Sequence, residues 1–329
     1  MPVIKALLGI STCLGNTVVG AFLGSWLSVR FWVPRLKRSA ATLNTDGLTP
    51  KDVNQLRLKK LFLAVERVQS EAIAITESTG LRIGVYDLPV GPDEDSEEED
   101  WDYQIFFKPS DNCLDTVESM TEYIIEHSHQ LWHDNEAHNQ PTALNGYNNI
   151  GAYFASLNRK RGKRPSNLAH SSGWKRSEIR DDQLGPDTLR DKYWPYAQQP
   201  RSFGPCWTRI GDGHSHILFT MYHDIVPEED LLCRRELLAI LGFMLTRMKS
   251  PYFEDHHVVP VMVISCFKNH SARILQAYLT DCDLIIGQSS LYDFSNPKSR
   301  AENLPLFLTY MASEPVGTTR CEAASSSSQ

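Results

Sequence analysis

The stretch HHVVPVMVISCFKNHSARILQAYLTDCDLIIGQSSLYDF, His256 to Phe294, decides the fold. It carries three β-rich runs: VVPVMVIS (Val258–Ser265), ARILQAYL (Ala272–Leu279) and DLIIG (Asp283–Gly287). Short runs of β-branched and aliphatic residues like these predict buried strands. Val261, Val263, Ile274, Leu284 and Ile286 are expected on one buried sheet face. A helix is predicted upstream, from about Pro227 to Met248. Pro227 suits its first turn, Glu228, Glu229 and Asp230 its positive end, and Arg247 and Lys249 its negative end. Downstream, Asn296-Pro297 opens a last helix that runs to about Met311. Tyr292 and Phe294 are expected to anchor the core, with Asp293 capping the turn between them and that helix. The fold class is therefore α+β: an antiparallel or mixed sheet with flanking helices, preceded by a membrane-type helix at the N-terminus.

The order helix, three strands, helix resembles the α-β-β-β-α core of PD-(D/E)xK nuclease-like folds. Those folds set an acid at the end of the second strand and an acid-x-Lys on the third, because two carboxylates must hold Mg²⁺ beside a cation. Here the nearby acids are Asp281 and Asp283, and Asp283-Leu284-Ile285 has no lysine. Glu236 is the acid available on the first helix. The resemblance thus implies a nuclease-like domain without nuclease activity. The residues themselves resemble the C-terminal signature of a filamentous-fungal protein family. In that family a Pro-Val strand, an Arg-Ile-Leu-x-Ala strand and a Ser-x-Leu-Tyr-Asp-Phe segment follow one another. The match runs from about Arg234 to Phe294, and it implies no activity or site residue.

The remainder organises around this core. Thr49-Pro50-Lys51-Asp52 is a helix start, and Leu58, Leu61, Val65, Val68, Ala72 and Ile75 form one apolar stripe ending at Gly80. LRIGVY (81–86) and YQIFFK (103–108) are expected to pair as a hairpin, its tip the acidic loop Pro92–Asp102. A helix capped by Asp111 and running through Trp132 carries the apolar positions Leu114, Val117, Met120, Ile124, Leu131 and Trp132. Residues 146–204 read as long loops with short helices. Gly211-Asp212-Gly213 marks a further hairpin. The main domain is bounded at 46–311, with residues 312–329 as a disordered tail.

Ala6 to Val29 contains no charged residue and is long enough to span a bilayer core of roughly 30 Å. Phe31, Trp32, Arg35, Lys37 and Arg38 follow, as at a cytoplasmic membrane edge. Gly20 and Gly24 form a GxxxG pair that suits close helix approach and self-association. Residues 1–45 are thus expected to be a single-pass anchor with the main domain cytosolic. A mitochondrial presequence is the alternative, since no acid precedes Asp46. A cleaved secretory signal and a buried helix or hairpin are further readings. The sequon Asn269-His270-Ser271 should stay bare if the domain is cytosolic.

Histidines supply the chemical candidates. In IIEHSHQLWHDNEAH (Ile124–His138), Glu126, His129, His133 and Glu136 share one helix face, opposite the Ile124 stripe. That placement predicts a solvated face and no metal. His214 and His216 lie two apart on an expected strand that ends in His223-Asp224. Such a set could hold a metal with a third ligand, or act as a base with its orienter. Its ordinary reading is the polar face of a strand. Arg273, inside a strand, is either functional or a snorkelling cation. His256-His257 reads as a turn.

Seven dispersed cysteines without a CxxC pair argue against a disulfide scaffold or structural zinc. A net charge of −7 argues against general nucleic-acid binding, despite the basic run Arg159–Arg164. No Walker A, GxSxG or GxGxxG motif occurs, and no cofactor is expected. Two functions remain: a non-enzymatic, membrane-tethered accessory protein of a fungus with a protein partner, or an enzyme or degenerate nuclease-like domain. Convergence of His214, His216 and His223 on a carboxylate would favour the second.

Overall fold

The computed structural model describes residues 47–74, 81–90, 104–109, 113–118, 121–122, 150–151, 154, 157–158, 166–177, 203–209 and 213–320. All belong to one compact unit, Thr45–Gln329. Ala6–Val29, Pro92–Asp102, Ile124–His138 and Arg159–Arg164 lie outside the described residues. So do the readings attached to Gly20, Gly24, Glu126, His129, His133 and Glu136.

Helix α1 spans Pro50–Arg67 and starts where the sequence predicts. Thr49 and Asp52 bond reciprocally as a capping box, side chain to backbone at 3.2 and 3.1 Å. The helix does not run on to Gly80. Ser70 bonds the Ala72 carbonyl at 2.7 Å, a local bond that competes with helix. Ala72–Ile73 then becomes strand β1.

The next strands are β2 (Ile83–Asp87), β3 (Phe107–Lys108), β4 (Leu157–Asn158), β5 (Ser166–Asn167) and β6 (Trp174–Ser177). They are followed by β7 (Phe203–Arg209), β8 (Ile217–His223) and β9 (Leu232–Cys233). Helix α2 (Arg234–Lys249) leads to β10 (Val261–Phe267), β11 (Ser271–Leu279), β12 (Leu284–Gln288) and β13 (Tyr292–Asp293). Helix α3 (Pro297–Met311) and β14 (Glu314–Pro315) complete the described chain.

One sheet runs β2-β12-β11-β10-β8-β7-β6, with β13 added to β11. Strands β10, β11 and β12 form where the three β-rich runs predict strands, and pair as an antiparallel meander, with Val263 opposite Leu275 and Ala277 opposite Ile286. Strand β8 lies parallel to β10, and β2 parallel to β12. The hairpin expected between 81–86 and 103–108 is therefore not formed. Strand β2 sets Ile83 beside Leu284 and Val85 beside Ile286, extending their apolar face. The two-residue β3 pairs instead with β14.

Strands β7 and β8 are the antiparallel neighbours that Gly211-Asp212-Gly213 signals, but β8 begins only at Ile217. His214 and His216 thus precede the strand rather than lying on it. Helix α2 likewise starts at Arg234, not Pro227. The β1–β9 ladder keeps Leu232 and Cys233 extended, and Cys233 becomes the N-cap. The acids after Pro227 lie in an exposed loop.

The sheet separates two apolar layers. On one side Val261, Val263, Leu275, Ala277, Leu284 and Ile286 pack with Leu58 and Phe62 of α1 and with α2. Phe219 and Phe243 stack there at 4.1 Å between ring centroids. On the other side Met262, Ile264, Tyr278 and Ile274 pack against Phe307, Leu308 and Met311 of α3. Ile274 does not share the Val263 face. Side chains alternate along a strand, and the register puts Leu275 opposite Val263.

Three further readings change. Leu114 is exposed, while Val117 is buried as expected with Cys113 beside it; Met120, Ile124, Leu131 and Trp132 lie outside the described residues. The stretch read as loops supplies β6, an edge strand of the main sheet, with Trp174 buried. Ala312 and Ser313 are fully buried and order continues to Arg320, so the tail is not disordered from 312. Tyr292 and Phe294 do anchor α3, each edge-on to Phe307 at 5.5 and 5.1 Å. Asp293 accepts the Ser295 amide at 2.8 Å, and Asn296 caps the helix.

Val263 sits at the centre of the sheet with no solvent exposure. Val263→Asp should cost several kcal/mol, because an unpaired charge would be buried. Soluble yield and thermal melting check this; a wild-type melting temperature would refute the assignment.

Candidate functional site

Strands β8 and β10 run parallel and end beside the N-terminal turn of α2. Ser265 lies opposite Arg273, and Phe267 opposite His223. All of these point to the α2 face, where the apolar alternation gives way to polar side chains. His223, Glu236, Ser265 and Arg273 have no solvent exposure.

Arg273 organises this cluster. Its Nε donates to Glu236 Oε1 at 3.0 Å, its Nη2 donates to Glu236 Oε2, and its Nη1 donates to the Leu231 carbonyl at 2.9 Å. Nη2 also lies 3.8 Å from Cys233 Sγ. Glu236 Oε2 accepts the Cys233 amide at 2.8 Å, so one carboxylate both neutralises Arg273 and caps α2. The guanidinium carbon lies 5.4 Å from the Phe267 ring centroid. The snorkelling reading of Arg273 is thus overturned: the cation is buried and bidentate.

Burial drives the Glu236 carboxyl up, but the charge and hydrogen bonds of Arg273 outweigh it and hold it below the ordinary value. The Ser265 hydroxyl adds to that stabilisation. Arg273 is desolvated too, yet Glu236 keeps it above its ordinary range. For His223 burial is the largest effect. It pushes the imidazole down to about 4 against the attraction of Glu236, with Arg273 and Arg235 pushing the same way. His223 is therefore neutral at pH 7.

His223 Nε2 lies 2.8 Å from Ser265 Oγ, a spacing found between a nucleophile and its base. The rest of a catalytic triad is absent among the described residues. A triad carboxylate grips the Nδ1–H of its histidine. Here His223 Nδ1 has no hydrogen-bond partner, and Glu236 is engaged by Arg273. The ring instead stacks on Phe267 at 4.8 Å. Gln288, at the end of β12, donates to the Glu229 carbonyl at 2.7 Å and ties the 224–231 loop over this row.

The other candidates are elsewhere. His214 and His216 lie at the opposite end of β8, about 20 Å along a seven-residue strand from His223. Their rings are 5.8 Å apart. His216 is fully buried between Phe106 and Phe107, at 5.9 and 5.3 Å, so it is not on a wet face. Burial pushes it down to about 3. Asp224 is exposed and pairs with Arg235 at 2.8 Å, and does not orient His223. Asp283 pairs with Arg82 at 2.9 Å near the surface. His223 thus lies away from His214 and His216, within the electrostatic reach of Glu236.

Among the described residues no group of three or more His, Cys, Asp or Glu side chains could hold a metal ion. Sequence reasoning raised Glu236 and Arg273 separately and missed Ser265 and Gln288. The signal for the pair was present: a charge inside an apolar strand needs a buried counter-charge. No protein-family model, curated protein or solved structure matches the chain.

Removing one partner leaves the other charge buried alone. Arg273→Met and Glu236→Leu should each cost about 3–5 kcal/mol, and the double variant should recover much of the loss. Urea unfolding of the four proteins checks the cycle; additive losses would refute a paired origin.

His216, His223 and His256 all have lowered values, to about 3, 4 and 4. A lowered histidine stabilises the fold fully above its ordinary value of 6.5 and loses that contribution as pH falls toward the folded value. Glu236, also lowered, acts the same way below its ordinary 4.5. The urea midpoint should therefore be flat between pH 6.5 and ~8, below the range where unfolded thiols ionise, and fall steadily from pH 6.5 to pH 4; a maximum near pH 5 would contradict these environments.

Proposed function

We propose that the chain is a non-enzymatic accessory or interaction protein of a filamentous fungus. In this reading residues 6–29 tether it to a membrane, and the α+β domain faces the cytosol and serves a protein partner. One observation carries the non-enzymatic part. The cluster that joins a histidine, a serine, an acid and an arginine is charge-compensated within itself and has no solvent exposure. A substrate would have to break the Glu236–Arg273 pair to reach it. The apolar Ala6–Val29 run and the cations after it support the tether. Among the described residues no helix is long and apolar enough to cross a membrane, and Ala6–Val29 lies outside them.

A second reading, a degenerate nuclease-like domain, is favoured by the order α2, β10–β12, α3 with Glu236 on the first helix. In place of a carboxylate and a lysine, β11 and β12 bring Arg273 and Gln288 to this end of the sheet. A guanidinium beside Glu236 supplies the positive charge that a metal would bring. The two readings are compatible, the second describing the scaffold of the first.

Asn269 lies in an exposed turn between β10 and β11 and reports topology. The full chain expressed in a fungal host should pellet after carbonate extraction and show no mobility shift on deglycosylation. Calorimetry with Mg²⁺ should show no binding. A shift lost in Asn269→Gln would overturn the cytosolic domain, and saturable Mg²⁺ binding lost in Glu236→Gln would turn the reading toward a nuclease.

A further inference from the structure

At the end of the sheet away from the Arg273 cluster, the C-terminal segment crosses a group of histidines. We infer that Ser313–Arg320 is an acid-released strap, latched in place by neutral His216 and neutral His256.

The hydrogen bonds set the protonation states. An arginine Nε–H can only donate. Arg320 Nε lies 3.3 Å from His256 Nε2, so that nitrogen is bare and accepts. The His256 proton is then on Nδ1, which donates to Thr319 Oγ1 at 2.7 Å. His216 Nε2 lies 3.1 Å from the Val316 carbonyl, which can only accept, so the His216 proton is on Nε2. Its Nδ1 is bare, buried and without a partner. Backbone bonds complete the strap. The His257 amide donates to the Thr319 carbonyl at 3.0 Å, the Val316 amide to the Phe106 carbonyl at 2.9 Å, and Trp174 Nε1 to the Ser313 carbonyl at 2.9 Å.

A second proton on either ring breaks this arrangement. On His256 it would sit on Nε2, facing the Arg320 N–H with no acceptor between them. On His216 it would be buried on Nδ1. The surroundings reinforce the conflict. His256 is faced by Arg320 from the strap, Arg247 from α2 and His214 from the segment before β8, with Asp255 on its own turn as the opposing acid. His216 is faced by His214 and His256, opposed by the Val316 and Phe106 carbonyls. Burial is the largest effect on both rings. Arg247 itself stacks 3.8 Å from the Phe253 ring centroid and leaves its buried Nε unbonded, so its charge is not neutralised by a described carboxylate.

Release lets both rings return toward their ordinary value of 6.5. For His256, held at about 4, this favours the open strap about twentyfold between pH 7 and pH 5. Hydrogen exchange of the full chain, corrected for intrinsic rates, tests it. Peptides covering 313–320 should lose about twentyfold protection or more from pH 7 to pH 5, while β10 peptides keep theirs. His216→Gln with His256→Asn retains donors at the matching positions but cannot take a proton. That double variant should keep the strap closed at both values. Unchanged wild-type protection at pH 5 would overturn the latch. So would equal loss in strap and β10, or an acid response that survives in the double variant.

Discussion

The Glu236–Arg273 pair is the constraint on which the arrangement of this domain turns. Arg273 lies on a central strand, and its guanidinium has no water to solvate it. Glu236 must therefore be at hand, which fixes the rotation of α2 over the sheet. The same carboxylate caps Cys233, so the helix can begin only there. The Leu231 carbonyl takes a further guanidinium bond and draws the 224–231 loop down over the end of β8. Moving α2 by one residue would turn Glu236 by about 100° and leave two buried charges apart. An apolar pair of similar volume could be as stable. It would not specify the start of the helix and the position of the loop together.

What was legible in the sequence was local. The runs at 258–265, 272–279 and 283–287 gave the three strands because each short apolar run is bounded by a turn. Thr49 with Asp52 and Asn296 with Pro297 gave helix starts because capping is decided within four residues. Readings failed where a distant partner decides. Strand β2 pairs with β12, some two hundred residues away, and nothing in LRIGVY names that neighbour. Pro227 and its acids look like a helix start, yet the β1–β9 ladder holds the chain extended until Cys233. Ile274 was placed on the wrong face because both faces of this sheet are apolar. Alternation then leaves no polar residue to set the phase.

The candidate site was legible in its parts but not in its assembly. Arg273 stood out as a cation within an apolar strand, and Glu236 as an acid at a helix start. Their meeting depends on the β10–β11 register and the pitch of α2. His216 and His223 were read as polar-face residues because histidine is common there. In the fold both are fully buried, one at each end of β8.

That symmetry has a physical origin. Apart from the buried Thr220, the middle of β8 and β10 is apolar on both faces. Polar side chains that enter this core collect where the strands end and backbone carbonyls and helix termini offer partners. At the α2 N-terminus the partner is a full charge, and Glu236 with Arg273 makes a closed salt bridge. At the other end the partners are a carbonyl, a hydroxyl and an arginine that can only donate. Neutral imidazoles satisfy all three, whereas a protonated His256 takes away the acceptor that Arg320 needs. The first end is ionic above the ordinary carboxylate range and gives the domain its fixed geometry. The second depends on protons remaining off two rings, and so holds the C-terminal segment conditionally. A domain built this way keeps its core while the C-terminal segment answers to acidity.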